Sequence, residues 1–360
     1  YSSSEEVQNI SEFNSKEIAI TNSRVDGLEA RLNNFEAGSF SETTTAAFSV
    51  DMSAGSLSGG TTPAEALNAT YSFQIDLNTS FTGEDSLDVS LDGGNNGAAG
   101  TAEFDGNGGN DALTVDGVSY TFPIGDNATA FVGDSTDGSL LFTTACVYGG
   151  PSNTLDDCGN VFSAIGSGSS TAFGASYDFG NGFTSAFGVT GSGSTAAGML
   201  TEESQDAYAI NAAYTADNYG VSLSYADMEA TIMTIDAEMT SWALNAYYTP
   251  EADGMPSISG GYESGESDFT AGAQDVDSTS WFVGLTWDEI GPGTGGVAVG
   301  TKTHTYDAPG APDEEIMYEA YYSYDINDGM SITPLVFVKE NAAAGIDDET
   351  GLMVKTSFAF

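Results

Sequence analysis

Basic side chains are nearly missing from this 360-residue sequence: six Lys and Arg stand against 53 Asp and Glu and one His, a formal net charge of −47. That shortage excludes nucleic acid as a partner, because phosphate binding needs clustered Lys and Arg to displace condensed counterions. Long apolar runs are missing too. A helical membrane span needs ~18 to 20 consecutive apolar residues, and the longest candidates, such as Pro334-Leu-Val-Phe-Val338, stop at strand length. Cysteine is limited to Cys146 and Cys158 and histidine to His304. Two sulfurs and one imidazole do not make the four ligands of a zinc site, so no metal is expected. With neither a phosphate loop nor a dinucleotide fingerprint in the sequence, no cofactor is expected. The start, Tyr1-Ser-Ser-Ser-Glu-Glu, has neither the basic residues nor the apolar core of a signal peptide and reads as a mature or trimmed chain.

What is abundant points to a folded protein. The chain is 40% hydrophobic, with 45 Gly, 20 Phe, 17 Tyr and 3 Trp, whereas disordered acidic tails are poor in both aromatics and apolar residues. Cys146 and Cys158 flank Gly149-Gly150-Pro151 and Asp156-Asp157. Cysteines that survive on either side of a turn in so cysteine-poor a chain are expected to close a loop by a disulfide, which implies an oxidising compartment.

Two regions differ in period. In residues 1–37, Ile18, Thr21, Val25, Leu28, Leu32 and Phe35 recur at alternating steps of three and four, the a and d spacing of a coiled coil. A single amphipathic helix lying on its own domain is the other reading of that stretch. Residues 38–360 change to a period of two, the signature of strands. Apolar series include Ala46, Phe48, Val50 and Met52; Tyr71, Phe73, Ile75 and Leu77; and Trp242, Leu244, Ala246 and Tyr248. The intervening positions are small, polar or acidic, such as Ala47, Ser49 and Asp51, or Ser72, Gln74 and Asp76.

Many segments of ~10 residues with this dyad, joined by tight turns such as Asp178 to Gly182 and Asp325 to Gly329, match an all-β transmembrane antiparallel barrel. Dividing the region by ~20 residues per strand and connection predicts about sixteen strands. Trp242, Trp281, Trp287, Tyr318 and Tyr324 are expected to form an aromatic girdle; Trp281 and Trp287 lie six steps apart on one face, about 20 Å along a strand. The last strand ends Phe358-Ala-Phe360, and Phe358 and Phe360 are expected to serve as the barrel-closing C-terminal signal.

Several stretches resemble the cyanobacterial outer-membrane porins related to the OprB-type carbohydrate-selective porins, a family that includes iron-uptake members. They are Asn22-Ser-Arg-Val-Asp-Gly-Leu-Glu-Ala-Arg31, Phe81-Thr-Gly-Glu-Asp85, Phe104-Asp-Gly-Asn-Gly108, Tyr120-Thr-Phe-Pro-Ile-Gly-Asp-Asn-Ala128, Tyr177-Asp-Phe-Gly180 and the terminal Phe. The resemblance implies a homotrimer in outer-membrane lipid with a periplasmic N-terminal stalk. In that family an SLH domain binding peptidoglycan precedes the coiled coil. Only the coiled coil finds a counterpart in this sequence, so peptidoglycan is a partner only through a domain it does not contain.

The alternation assigns Asp51, Asp76, Asp88, Asp178, Glu319, Asp325, Lys302 and Lys355 to the water-filled side of such a barrel. A lumen of that sign concentrates cations. The expected function is therefore a channel, not an enzyme, for passive diffusion of small hydrophilic solutes and ions with a cation preference. The loop spanned by Cys146 and Cys158 is the candidate to fold inward as a constriction. The alternative is an acidic cell-surface adhesin or calcium-binding β-domain on a coiled-coil stalk, with no channel. Gly106-Asn-Gly-Gly-Asn-Asp-Ala-Leu-Thr114 looks like one calcium-binding repeat, but a single copy cannot stack, and it reads as a polar loop. His304, with no nucleophile partner in view, reads as an ordinary lining residue.

Overall fold

The computed structural model describes residues 43–61, 65–164, 170–196, 198–201, 205–232, 235–269, 275–307, 311 and 313–360. The expected coiled-coil stalk, residues 1–37, lies outside the described residues.

The chain forms one antiparallel sheet of β1 (Thr44–Ser58), β2 (Asn68–Thr79), β3 (Ser86–Gly94), β4 (Thr114–Ile124), β5 (Ala128–Asp134), β6 (Thr171–Gly180), β7 (Phe183–Gly191), β8 (Asp206–Thr215), β9 (Tyr219–Ile232), β10 (Ile235–Tyr248), β11 (Ser257–Phe269), β12 (Val276–Ile290), β13 (Gly293–Thr301), β14 (Thr305–Asp307), β15 (Ile316–Asn327), β16 (Met330–Lys339) and β17 (Glu349–Ala359). β13 pairs with β12 through Phe282 to Ile290, and β14 pairs with the same strand through Asp277 to Thr279. They are two pieces of one stave, broken at Lys302-Thr303-His304. Seventeen segments thus make sixteen staves. β1 pairs with β2 on one side and β17 on the other, which closes the barrel. Closure leaves no sheet edge and satisfies the backbone from strand to strand, the condition for crossing hydrocarbon with strands.

Tight connections gather at one end. Those at 125–127, 181–182, 216–218, 291–292 and 328–329 are two or three residues long, and the same end carries Thr44 and Phe360. The rings of Phe48 and Phe360 stack there, with centroids 5.8 Å apart. The opposite end carries the long connections 95–113 and 135–170.

At the short-turn end the 80–85 turn is knotted around Asp85. Its Oδ1 accepts the N–H groups of Phe81 and Thr82 and the hydroxyls of Ser80 and Thr82, and its Oδ2 accepts the Tyr120 phenol. The Thr82 N–H, then the Tyr120, Thr82 and Ser80 hydroxyls, hold the carboxyl well below the usual range against a smaller effect of burial. A depressed carboxyl stabilises the fold above its unfolded value and stops doing so only as pH falls through the folded one. The turn is therefore expected to stay formed at pH 4, and Asp85→Ala to expose it to proteolysis at neutral pH; an equal cleavage rate in the variant would contradict this.

The outward face matches the dyad. Trp242, Leu244, Tyr262, Val283, Tyr318, Val336 and Leu352 are large, apolar and exposed, as a lipid-facing band requires. The inward face does not match a uniformly wet lumen. Leu57, Phe282, Met317, Tyr321, Leu335, Phe337 and Met353 point inward and bury against Phe104, Tyr148, Leu155 and Cys158 of the two long connections. Six neighbouring staves, β12, β13, β15, β16, β17 and β1, thus carry a dry core on their inner side. The parity of Lys339 corrects the sequence reading, which put only Lys302 and Lys355 on the lumen side: Lys339 follows Leu335 and Phe337 on the same inward face.

Candidate functional site

The interior is shaped by two segments that dip into it. Residues 95–113 carry the 3₁₀ turn Ala99–Phe104, and residues 135–164 cross behind it. They meet where Asn153 N–H donates to the Glu103 carbonyl at 3.0 Å.

The second segment, the inward loop, is laid along the wall by polar side chains of several staves. Thr143 N–H donates to Asn211 Oδ1 on β8 (3.0 Å), Ala145 N–H to Ser222 Oγ on β9 (2.8 Å) and Val147 N–H to Ser259 Oγ on β11 (3.0 Å). Every second residue faces the wall, the geometry of an extended chain. The Tyr148 phenol then donates to Glu319 Oε1 at 2.5 Å. Burial, followed by the charge of Glu319, raises the Tyr148 phenol well above its usual range, so it remains a donor. Further along, Asn245 Nδ2 donates to the Cys158 carbonyl at 2.9 Å, and the N–H groups of Phe162 and Ser163 donate to the carboxylate of Glu263 on β11. Small residues let the backbone come this close: a methyl group at Gly261 would stand 1.8 Å from the Cys158 carbonyl oxygen.

Cys146 and Cys158 are joined by a disulfide within this loop. A cross-link of that span restricts the unfolded chain by about 3 kcal/mol in the chain-entropy picture. Reduction, or Cys146→Ser with Cys158→Ser, is expected to speed proteolysis of residues 149–157 while the barrel still migrates as folded on a detergent gel. Equal cleavage of the oxidised and reduced protein would contradict this.

The three basic residues among the described ones are all engaged on the packed side. Lys302 Nζ lies 3.1 Å from Glu315 Oε2, and Lys355 Nζ lies 3.8 Å from Asp51 Oδ2 and over the Phe104 ring. Lys339 pairs with Glu103 and lies 4.0 Å from Glu349. The arc just beyond β1 and β2 holds an open polar cavity of about 590 Å³ between β3, β4 and the inward loop, lined by Asp88, Asp116, Asp137, Ser90, Ser119 and Thr121. A register irregularity between Ser90 and Leu91 interrupts the pairing of β3 with β4 beside Asp116.

The sequence-assigned lumen residues fall into three groups. Asp51, Asp76 and Asp88 lie on the inward face, where Asp76 accepts from Gln74 and Ser90, and Asp88 from Asn78 and Ser86. Glu319 faces inward but is only 5% exposed because the loop covers it. Asp178 and Asp325 share the inward parity but stand at the short-turn rim, where Asp178 Oδ1 accepts Gly180 N–H and Asp325 lies opposite Ser331. Asp116, Asp137, Glu263 and Lys339 were not singled out. Asp116 was hidden by the register irregularity and Lys339 by the doubly apolar strand before it.

The girdle candidates face outward. Trp242 packs on Tyr225, Trp281 Nε1 donates to Glu314 Oε1 (2.7 Å), and the Tyr318 phenol donates to Glu340 Oε1 (3.2 Å), all toward the long-loop end. Trp287 and Tyr324 lie six positions further along their strands, toward the short turns. Polar tips turned to carboxylates and rings to the apolar band suit a water–hydrocarbon boundary. Phe358 pairs with Val50 and Met330 on the outward face. Among the described residues no cluster of three or more His, Cys, Asp or Glu is arranged to hold a metal ion.

A closed sixteen-stave barrel with short turns at one end, long connections at the other and an interior loop has the fold of the outer-membrane porins. An anion-selective porin from Comamonas acidovorans superposes with a TM-score of 0.64 at 14% identity, covering 88% of this chain and 99% of that one. A loop-deletion variant of OmpT, an outer membrane protein of Vibrio cholerae, gives 0.60 at 11% identity, with 89% and 100% covered. OprB of Pseudomonas putida gives 0.59 at 11% identity, with 88% and 94% covered. No family model matches the sequence, and no curated protein matches it.

Proposed function

We propose that this protein is an outer-membrane porin, a channel for passive diffusion of small hydrophilic solutes and inorganic ions that favours cations. The observation that carries the cation preference is the distribution of charge across the interior. All three described Lys are tied to carboxylates on the packed side, while the open arc is lined by Asp88, Asp116 and Asp137. A water-filled path bounded by such an arc has a negative potential that enriches cations and repels anions, more strongly at low salt.

The resemblance of several stretches to cyanobacterial porins supports a homotrimer in a cyanobacterial outer membrane, with residues 1–37 as a periplasmic stalk. The two or three-residue turns belong at the periplasmic side of such a barrel, and Thr44, which follows the stalk region, lies at that end. Chemical cross-linking in detergent is expected to trap three copies. The reversal potential across a tenfold KCl gradient in a planar bilayer is the decisive measurement. It is expected near the potassium equilibrium potential, and a value on the chloride side would overturn the cation preference.

A further inference from the structure

The stave broken at Lys302-Thr303-His304 leaves a side cavity of about 200 Å³ between that break and the later part of the inward loop. Its loop wall carries Asn153, Asp157 and Val161, and its stave wall carries Lys302, Thr303 and His304. Asn153, Asp157, Val161 and Thr303 are exposed, so the cavity can be reached from water. His304, the single histidine of the chain, is 8% exposed. Its Nε2 is turned to Glu263 Oε1 at 3.2 Å, and its Nδ1 has no hydrogen-bond partner. A buried polar atom left without a partner is costly, and a polar occupant of the cavity would remove that cost. The two walls also differ in sign. Asp157 offers a carboxylate from the loop, and Lys302 offers an ammonium from the stave. Glu315 Oε2 at 3.1 Å and the Glu340 carbonyl at 3.4 Å engage two of the three N–H groups of that ammonium, which leaves the third.

We infer that this cavity is a binding site for a small zwitterion, a solute with an ammonium and a carboxylate a few bonds apart, such as an α-amino acid with a short side chain. Asp157 is matched to the ammonium of such a solute, the Lys302 ammonium and the Thr303 hydroxyl to its carboxylate, and the His304 imidazole forms a polar floor between them. A lone anion would meet Asp157 as a like charge, and a lone cation would meet Lys302. Only a molecule with both charges suits both walls. The volume lies below the ~300 Å³ at which pockets for drug-sized ligands begin, so the occupant is small, and Val161 offers its short side chain an apolar contact. The inference deepens the channel reading by naming a solute class, and it rests on that reading for the route by which the solute arrives. A molecule without net charge is not turned away by an acidic lumen, as a free carboxylate would be.

Saturation-transfer NMR on the full chain in detergent tests this with L-alanine, ethylamine, propionate and glycerol as probes. Ethylamine is alanine without its carboxylate, and propionate is alanine without its ammonium. L-alanine is expected to bind saturably, and each half-molecule about tenfold more weakly or worse, since each loses one charged hydrogen-bond partner. Ethylamine binding as tightly as alanine overturns the zwitterion in favour of plain attraction to carboxylates. Glycerol binding as tightly overturns it in favour of a neutral polyol, and no saturable binding of alanine overturns the site. Asp157→Asn and Lys302→Gln are each expected to weaken alanine binding about tenfold, and unchanged affinity in both overturns the assignment to this cavity. Val161→Trp fills the cavity while keeping every charged group, so it serves if either charge variant fails to fold. Loss of alanine binding in V161W supports the site, and binding equal to wild type overturns it. The measurement needs no current, so a wild type that binds alanine but conducts nothing overturns only the channel reading.

Discussion

Replacing Asp88, Asp116 and Asp137 together by Asn is expected to lower the cation-to-anion permeability ratio about tenfold at 0.1 M salt. The three carboxylates line one polar cavity on the open arc. A unit charge a few ångströms from a permeating ion in water is worth roughly 0.5 to 1 kcal/mol. Three charges acting in the same direction therefore amount to about 1.5 to 3 kcal/mol, reduced by screening over ~10 Å. The effect should shrink at 1 M salt, where the Debye length is ~3 Å. The matching triple change on the packed side, Lys302, Lys339 and Lys355 to Gln, is expected to change the ratio far less, because those ammoniums stand among the packed staves and not on the open arc. Reversal potentials of the two triple variants, measured side by side, check this. Equal effects would show that the path does not follow the Asp88 arc.

Gly261→Leu is the second substitution with a large expected effect. The added Cβ alone would stand 1.8 Å from the Cys158 carbonyl oxygen and 2.5 Å from Asn245 Nδ2, so the disulfide-closed part of the loop has to leave the wall. The Asn245 bond to Cys158 is lost with it, leaving a buried amide unpaired at ~1 to 3 kcal/mol. Single-channel conductance is expected to change by twofold or more, with the heat-modifiable migration of a folded barrel retained. An unchanged conductance would mean that the loop does not bound the path. Gly260→Leu is the control, since a Cβ there has only the Phe282 carbonyl, 3.7 Å away, as a neighbour.

The outer surface was legible in the sequence because one requirement acts on it everywhere. Each position facing hydrocarbon has to be apolar, so series such as Trp242, Leu244, Ala246 and Tyr248 show the dyad without interruption, and the strand number followed from segment spacing. The inner surface answers to whatever lies against it, and that partner is distant in sequence. Leu335 and Phe337 are apolar because residues 99–104 and 146–158 cover them, which makes β16 apolar on both faces and hides the parity of Lys339. Nothing near Glu263 in the sequence marks it as the acceptor of the Phe162 and Ser163 amides, which lie a hundred residues away. The inward loop did leave a trace. Ser257, Ser259, Gly261 and Glu263 put small or accepting side chains at every second position of β11, as a strand must if another backbone is to lie on it. The paired cysteines marked the loop itself, though not where on the wall it would rest.

The stave that is interrupted at Lys302-Thr303-His304 stands in the braced part of the cylinder, where Leu155, Phe282, Ala298 and Met317 press together behind it. The arc through β3 and β4 has no such lining and carries the register irregularity beside Asp116. Squeezing the cylinder should therefore deform it unevenly, like a pipe reinforced along one side, and the flattening would fall on the acidic wall that ions are proposed to pass.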